Sequence, residues 1–318
     1  MTTTPMIDDD LATGPFIAPL AERGVVRASG PNTIKLLDGI LTNDLERLAR
    51  QPVIHAGLLS PQGKILFAVF LAADGDGVLI DVRRAAVTDL VKRLELYRLR
   101  AKVAFEDVSE RIMVAALWGG EPELPAGVLG GADPRATGLG QRLFLPPQRQ
   151  VEIAARVVDA TAYDDRRIAA GVADEERDYA VGDTFPHEAN FDLTGCVDFS
   201  KGCFVGQEVV SRMQHKTVVR KRVVGITVPT GAMGLRVGAD LSVTGVPAAV
   251  GRVGSVSRDG LAGLAFVKLD RIAEALAKGG TLTAGSGPDA TVVAIDADAL
   301  ARYQQAVAAR AAGDGSHL

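Results

Sequence analysis

Lys201-Gly202-Cys203-Phe204-Val205-Gly206-Gln207-Glu208 gathers an ammonium, a thiol, two glycines and a carboxylate in one short run. Glycines beside the thiol remove side-chain bulk, so backbone or ligand can approach closely. From Gln207 the spacing predicts a helix with Val209, Val210 and Met213 on one face and Arg212 and Gln214 turned elsewhere. Cys203 is then expected at or just before a helix N-terminus, beside Lys201. Both features favour the thiolate, the form that attacks electrophiles and binds metals. A small buried cysteine packed between glycines fits the same letters, and the local chemistry leaves both readings open.

Other chemistries are poorly supported. The stretch 57–64 is glycine-bearing, but its spacing to Gly63-Lys64 is one residue too long for a phosphate loop, and Ile65 stands where a hydroxyl should bind magnesium. His55, His187, His215 and His317 are scattered without paired metal-ligand spacing, so no resident metal is expected. A thiol–imidazole pair of Cys203 with His187 or His215 lacks anything to position the ring. No G-x-S-x-G elbow is present. Basic residues cluster at Arg98-Leu99-Arg100-Ala101-Lys102, at Arg166-Arg167 and at Arg220-Lys221-Arg222. Each is either a solvated face or part of a grip on an anionic ligand.

The elements that must position these residues alternate between strand and helix. Apolar runs at 53–59 and 64–73 flank the turn Ser60-Pro61-Gln62-Gly63, and Asp74-Gly75-Asp76-Gly77 leads into a strand at 78–82. Val87, Leu90, Val91, Leu94 and Tyr97 recur at helical spacing. Strands are expected at 25–28, 102–106, 111–117 and 151–157, and helices from Gly30-Pro31, with Asn43-Asp44 towards its end, and over 161–172. Residues 173–200 lack periodicity, which marks a binding loop more than a linker. From Thr217 short β-type runs separated by glycine turns predict a small antiparallel barrel or sandwich.

The chain has 318 residues, 47% of them hydrophobic, and a formal net charge of -4, which argues against non-specific nucleic-acid binding by the whole surface. Two cysteines cannot build a disulfide scaffold, so a reducing compartment is the simpler reading. No apolar run reaches membrane-spanning length. The first ten residues resemble neither a secretion signal nor a transit peptide. A soluble, cytoplasmic protein is expected, with no direct nucleic-acid or membrane partner.

Several motifs in order resemble one family. The run from Lys201 to Glu208 is similar to the K-G-C-[FY]-x-G-Q-E signature of YgfZ-type folate-binding proteins. These are relatives of the glycine-cleavage T-protein (aminomethyltransferase) and include a mitochondrial iron–sulfur assembly factor. Phe185-Pro186-His187-Glu188-Ala189-Asn190, Ser60-Pro61-Gln62-Gly63-Lys64-Ile65, Leu41-Thr42-Asn43-Asp44, Arg98-Leu99-Arg100-Ala101-Lys102-Val103 and Lys221-Arg222-Val223-Val224-Gly225 resemble further segments of that family. The resemblance implies an α+β fold: a T-protein-like folate-binding body of interleaved α+β subdomains around a central hole, plus a C-terminal antiparallel β-barrel. The expected division is a flexible leader at 1–15, the body at 16–216, the barrel at 217–296, and a helix and tail at 297–318.

The implied ligand is tetrahydrofolate or another reduced folate. The implied role is assembly or repair of iron–sulfur enzymes, including one that thiolates tRNA, with those clients or the assembly machinery as partners. Cys203 takes the place of the family's motif cysteine, with Lys201 beside it as the second catalytic candidate. Glu188, Asn190, Gln207 and Glu208 are candidates for meeting the pterin edge, and Arg98, Arg100 and Arg167 for the glutamate tail or a partner surface. The T-protein carries aspartates after its hairpin glycines and a glutamate in R-L-E-A-G. Here Gly63-Lys64-Ile65-Leu66-Phe67 has no acid and Arg167-Ile168-Ala169-Ala170-Gly171 has alanine. Aminomethyl transfer is therefore not expected, though a folate-dependent one-carbon transferase stands as the alternative.

Overall fold

The computed structural model describes residues 14–314. Most of the expected leader, the end of the expected tail and His317 lie outside the described residues. The chain divides into two compact units: residues up to Ala56 with Phe67–Tyr163, and Gly57–Leu66 with Asp164 onward.

The first unit is built on two five-stranded sheets. Its strands are β1 (Phe16–Pro19), β2 (Arg23–Ser29), β3 (Val53–Leu59), β4 (Ile65–Asp74), β5 (Gly77–Arg83), β6 (Ala104–Asp107), β7 (Met113–Trp118), β8 (Leu129–Ala132), β9 (Gln141–Leu145) and β10 (Arg156–Val157). One sheet runs β3-β4-β5-β2-β6 and the other β10-β1-β7-β9-β8, with the end of β3 from Gly57 and the start of β4 to Leu66 counted in the second unit. Every residue of β3 is buried, as expected of an apolar run covered on both faces. Val25, Val53, Phe70, Leu79, Val114 and Phe144 from both sheets form one core cluster, which is why apolar periodicity located β3, β4 and β5 closely. Helices α1 (Thr33–Asp38) and α2 (Val87–Arg98) belong to this unit; α2 buries Val87, Leu90 and Leu94, the stripe read from its spacing.

Two expectations are corrected here. The expected strand at 151–157 starts at the end of a 3-10 turn, Pro147–Glu152, and bends through 153–155, leaving only β10 extended. Pro147 fixes φ at a helical value and suits the first turn of such a helix. The helix after Gly30-Pro31 stops at Asp38, and Asp44 caps a separate 3-10 turn, Leu45–Ala49, by accepting from the Glu46 amide at 2.8 Å.

The second unit carries the barrel. Strands β11 (Lys221–Thr227), β12 (Asp240–Val243), β13 (Gly251–Val256), β14 (Ala262–Lys268), β15 (Leu282–Ala284), β16 (Thr291–Val292) and β17 (Ala294–Ile295) form an antiparallel, nearly closed sheet in the order β16-β15-β12-β13-β14-β11-β17. Val224, Ile226, Leu241, Val253, Ala265 and Val267 fill its interior. Helix α3 (Ala160–Ala169) begins in the first unit and ends in the second, which also holds α4 (Gln207–Lys216), α5 (Leu269–Ala277) and α6 (Ala297–Asp314). The expected α+β class with a C-terminal antiparallel barrel is what the chain forms. Among the described residues, no helix is long and apolar enough to cross a membrane.

Candidate functional site

Three of the motifs meet within the second unit. In the hairpin turn, Ser60 and Lys64 exchange backbone contacts, with Ser60 N donating to Lys64 O at 2.8 Å and Gly63 N to Ser60 O at 2.8 Å. Lys64 donates through Nζ to the Asp183 carbonyl at 2.5 Å and lies 3.3 Å from the Phe185 ring centroid, a cation–π contact. Ile65 N donates to Thr184 O at 2.9 Å, which joins the turn to the segment leading into Phe185-Pro186.

The cysteine motif seats on the same turn through its second glycine. Gly206 has φ +83°, and a Cβ there would stand 2.7 Å from Ser60 O and 3.0 Å from Gly63 Cα. Gly63, at φ +77°, would likewise push a Cβ to 2.9 Å from Val209. Only glycine satisfies both the left-handed backbone and this approach. Phe204 and Val210 are buried on either side of Gly206, anchoring the loop and α4. A Cβ on Gly202, by contrast, would meet nothing within 4 Å.

Cys203 is exposed whereas Cys196 is fully buried. The structure thus separates the two readings of the thiol that the letters left open. Helix α4 starts at Gln207 with Gly206 as its cap, so Cys203 stands three residues ahead of the cap, outside the first turn where the helix dipole is felt. Lys201 Nζ lies 5.7 Å from the Phe204 ring centroid. Cys203 lines neither the cavity of about 660 Å³ in the first unit nor the one of about 360 Å³ in the second. Such a thiol is reached from solvent. It suits exchange with a macromolecule's thiol, or ligation of a metal centre brought by a partner.

The Phe185–Asp192 segment is the brace behind this loop. Glu188 Oε2 accepts from the Phe185 amide at 2.9 Å, closing the one-turn helix Pro186–Ala189. Asn190, left-handed at φ 65°, donates through Nδ2 to Val223 O at 2.9 Å and accepts from Arg222 Nη1 at 3.0 Å. Arg222 forks onto both Asp192 oxygens at 2.8 and 3.0 Å. His187, buried, shares a 2.9 Å hydrogen bond between Nε2 and Gln214 Oε1 of α4. Burial holds its pKa below the usual imidazole range, against the opposing pull of Asp192 and Gln214. Sequence reasoning singled out Glu188 and Asn190 but missed Asp192 and Gln214. Spacing alone carries no signal for pairs about thirty residues apart.

The other candidates sit apart from the thiol loop. Arg167 is buried and donates to Asp164, Val172 O, Asp178 and Ser255 Oγ, at 3.2, 2.7, 2.8 and 2.7 Å. It tethers α3 and the Asp178 turn to β13. Arg98 belongs to the first unit, on the exposed end of α2, paired with Glu95 at 2.9 Å. Gln207 is half-buried and Glu208 exposed in the first turn of α4. As a set these residues do not fit a buried pterin. Glu188, Asn190, Arg167 and Arg98 already direct their polar atoms to protein partners, Gln207 is half-buried, and Glu208 faces solvent. Among the described residues, no group of three His, Cys, Asp or Glu side chains is placed to hold a metal ion.

The fold is that of the T-protein class: the solved structure of glycine cleavage system aminomethyltransferase T from Bartonella henselae superposes with a TM-score of 0.69 at 17% identity, covering 88% of this chain and 84% of that one. No family model matches the chain. Among curated proteins, the iron-sulfur cluster assembly factor IBA57 homolog, mitochondrial, of Mycosarcoma maydis is 35% identical over 66% of this chain and 57% of its own length. The homolog of Chaetomium globosum is 32% identical over 83% of this chain and 74% of its own length, and that of Dictyostelium discoideum 28% identical over 65% and 61%. The chain belongs to the IBA57 family of iron–sulfur cluster assembly factors. It spans little more than half the length of several of these relatives.

Two expectations change with this result. The YgfZ-type label is corrected to the IBA57 family, which the relatives name. The cytoplasmic placement is overturned, because the relatives are named as mitochondrial. The composition of one chain end was too slight a basis for a compartment.

Proposed function

We propose that this protein takes part in iron–sulfur cluster assembly and that Cys203 is the group that meets the cluster, a persulfide or a partner's thiol. The observation that carries this reading is the exposed sulfur on a loop that Gly206, Phe204 and Val210 fix against the Ser60–Lys64 turn. On ligating iron the thiol loses its proton and presents sulfur as a soft donor. Lys201, beside it in sequence, contributes positive charge toward an anionic thiolate-bound cluster. The partners are then the assembly machinery or the enzymes that receive clusters, with tRNA-thiolating enzymes one class of client. The family name of the relatives supports this role.

Reduced folate is the ligand that likeness to the T-protein fold recommends, and calorimetry of the full chain against tetrahydrofolate tests it separately. The test of the thiol is complementation: in a strain lacking the protein, the Cys203→Ser variant is expected to leave cluster-dependent enzyme activity near that of the deletion. Full restoration by Cys203→Ser would remove the thiol from the mechanism. The alternative of one-carbon transfer draws on the same fold, and turnover of methylene-tetrahydrofolate with an amine acceptor would put it first.

A further inference from the structure

Of the basic residues 220–222, Arg222 is committed to Asp192 and Asn190, but Arg220 makes no ion pair among the described residues. It lines the cavity of about 360 Å³ with Arg310 and Tyr303 of α6, Asp270 of α5, and Val218. Arg310 also makes no ion pair, and the Tyr303 hydroxyl makes no hydrogen bond, among the described residues. The helix explains why these groups collect there. Ala299 is buried and Tyr303 packs against the barrel core, but from residue 304 to 311 every residue of α6 is exposed. Its outer turns stand clear of the barrel, and Tyr303, Val307 and Arg310 fall on one side at helical spacing.

The lining has two guanidinium groups and one carboxylate, a net charge of +1. Asp270 opens α5 and accepts from the Arg271 amide at 2.9 Å through Oδ1, so part of its charge is already met by the helix N-terminus. Partial burial and Asp270 push the Tyr303 hydroxyl up from its usual pKa while Arg220 opposes them, as groups in mutual electrostatic reach do. The remaining walls, Val218, Val307 and Ala311, are aliphatic.

We propose that this cavity is a binding site for a small monocarboxylate with a compact apolar body. The carboxylate lies between Arg220 and Arg310 and accepts from the Tyr303 hydroxyl. The hydrocarbon rests on Val218, Val307 and the Tyr303 ring. A guanidinium fork matches a planar carboxylate, one negative charge balances the lining, and the volume falls in the range of small-ligand sites. The proposal is independent of the Cys203 reading, since the cavity excludes that residue.

Titration of the full chain with sodium benzoate, followed by amide–proton NMR, tests it. Saturable shifts are expected around Arg220 and over residues 303–311, and none from benzyl alcohol, which keeps the ring and loses the charge. Arg310→Gln and Arg220→Gln are each expected to weaken benzoate binding about tenfold with an unchanged far-ultraviolet spectrum. Equal shifts from benzyl alcohol would overturn the carboxylate. Benzoate shifts that do not saturate, displacement by inorganic phosphate at equal concentration, or undiminished binding in both variants would overturn the site.

Discussion

Two regions of the molecule solve opposite problems. In the first unit, charged side chains are buried and consumed by one another. Asp81, with no exposed surface, accepts from Arg23 Nε at 2.6 Å and Arg142 Nε at 2.5 Å. Asp133 takes both arms of Arg135, at 3.0 and 2.8 Å, and the Tyr163 hydroxyl at 2.8 Å. Phe70 lies among them, 3.7 Å from the Arg142 guanidinium and stacked on His55 at 4.6 Å. In the second unit, the Cys203 loop is fixed mainly by backbone shape and the absence of side chains at Gly63 and Gly206, and its sulfur is left outside. Buried charge of the first kind is architecture, because each group already has its partner. A group held precisely and left unpartnered is available for chemistry.

The sharpest way to break that contrast is at Asp81. Asp81→Ala removes the buried acid that both Arg23 and Arg142 bind, and removing one partner of a buried pair costs about 3–5 kcal/mol. Urea unfolding should show a loss of that size. A loss under about 1 kcal/mol would mean the cluster is not the architectural element described.

Gly206→Ala probes the other region. Alanine there must adopt a left-handed backbone and meet Ser60 O, for an expected loss of about 1–3 kcal/mol. Gly202→Ala, in open space, is the control and should be nearly silent. Equal effects at the two glycines would mean that the fit at Gly206 does not fix the loop.

Both regions contain a buried histidine whose pKa is lowered, His55 chiefly by burial with Arg135 adding to it, and His187 chiefly by burial. The folded state holds both neutral. Stability from this source is complete above the ordinary imidazole value of about 6.5 and is lost as pH falls below it, because only the unfolded chain then takes the proton. A ring that stays neutral throughout has a limiting slope of about 1.4 kcal/mol per pH unit. His187→Asn should remove that ring's share of the slope below about pH 6.5, measured as the change in urea midpoint. An unchanged slope would exclude His187 from the linkage.

How far the sequence revealed these regions follows from range. Local pattern carried the β3–β4 hairpin, α2, and the helix from Gln207, because burial of Val53–Leu59 or of Leu90 and Leu94 imprints a short period on the letters. It did not show the setting of Arg167, read as a candidate for the glutamate tail or a partner surface, because its partners Asp178 and Ser255 lie 11 and 88 positions away. It failed likewise at Asp81, a single acid inside an apolar strand, whose partners are 58 and 61 positions off. The motif at 201–208 was legible as a place for chemistry, but not as a loop docked on the turn at 60–64, since Gly206 encodes that contact only by what it lacks.

The smallest expected effect on stability is the most informative about function. Cys203→Ser changes an exposed atom on a loop whose anchors are other residues, so urea unfolding should move by no more than about 0.5 kcal/mol. The same substitution is expected to abolish cluster-dependent activity in the complementation assay. Architecture and function are then separated at one residue. If Cys203→Ser instead lost more than 1–2 kcal/mol, on the order of a buried group, the sulfur would be a packing atom. The loss of activity would then follow from unfolding and not from chemistry.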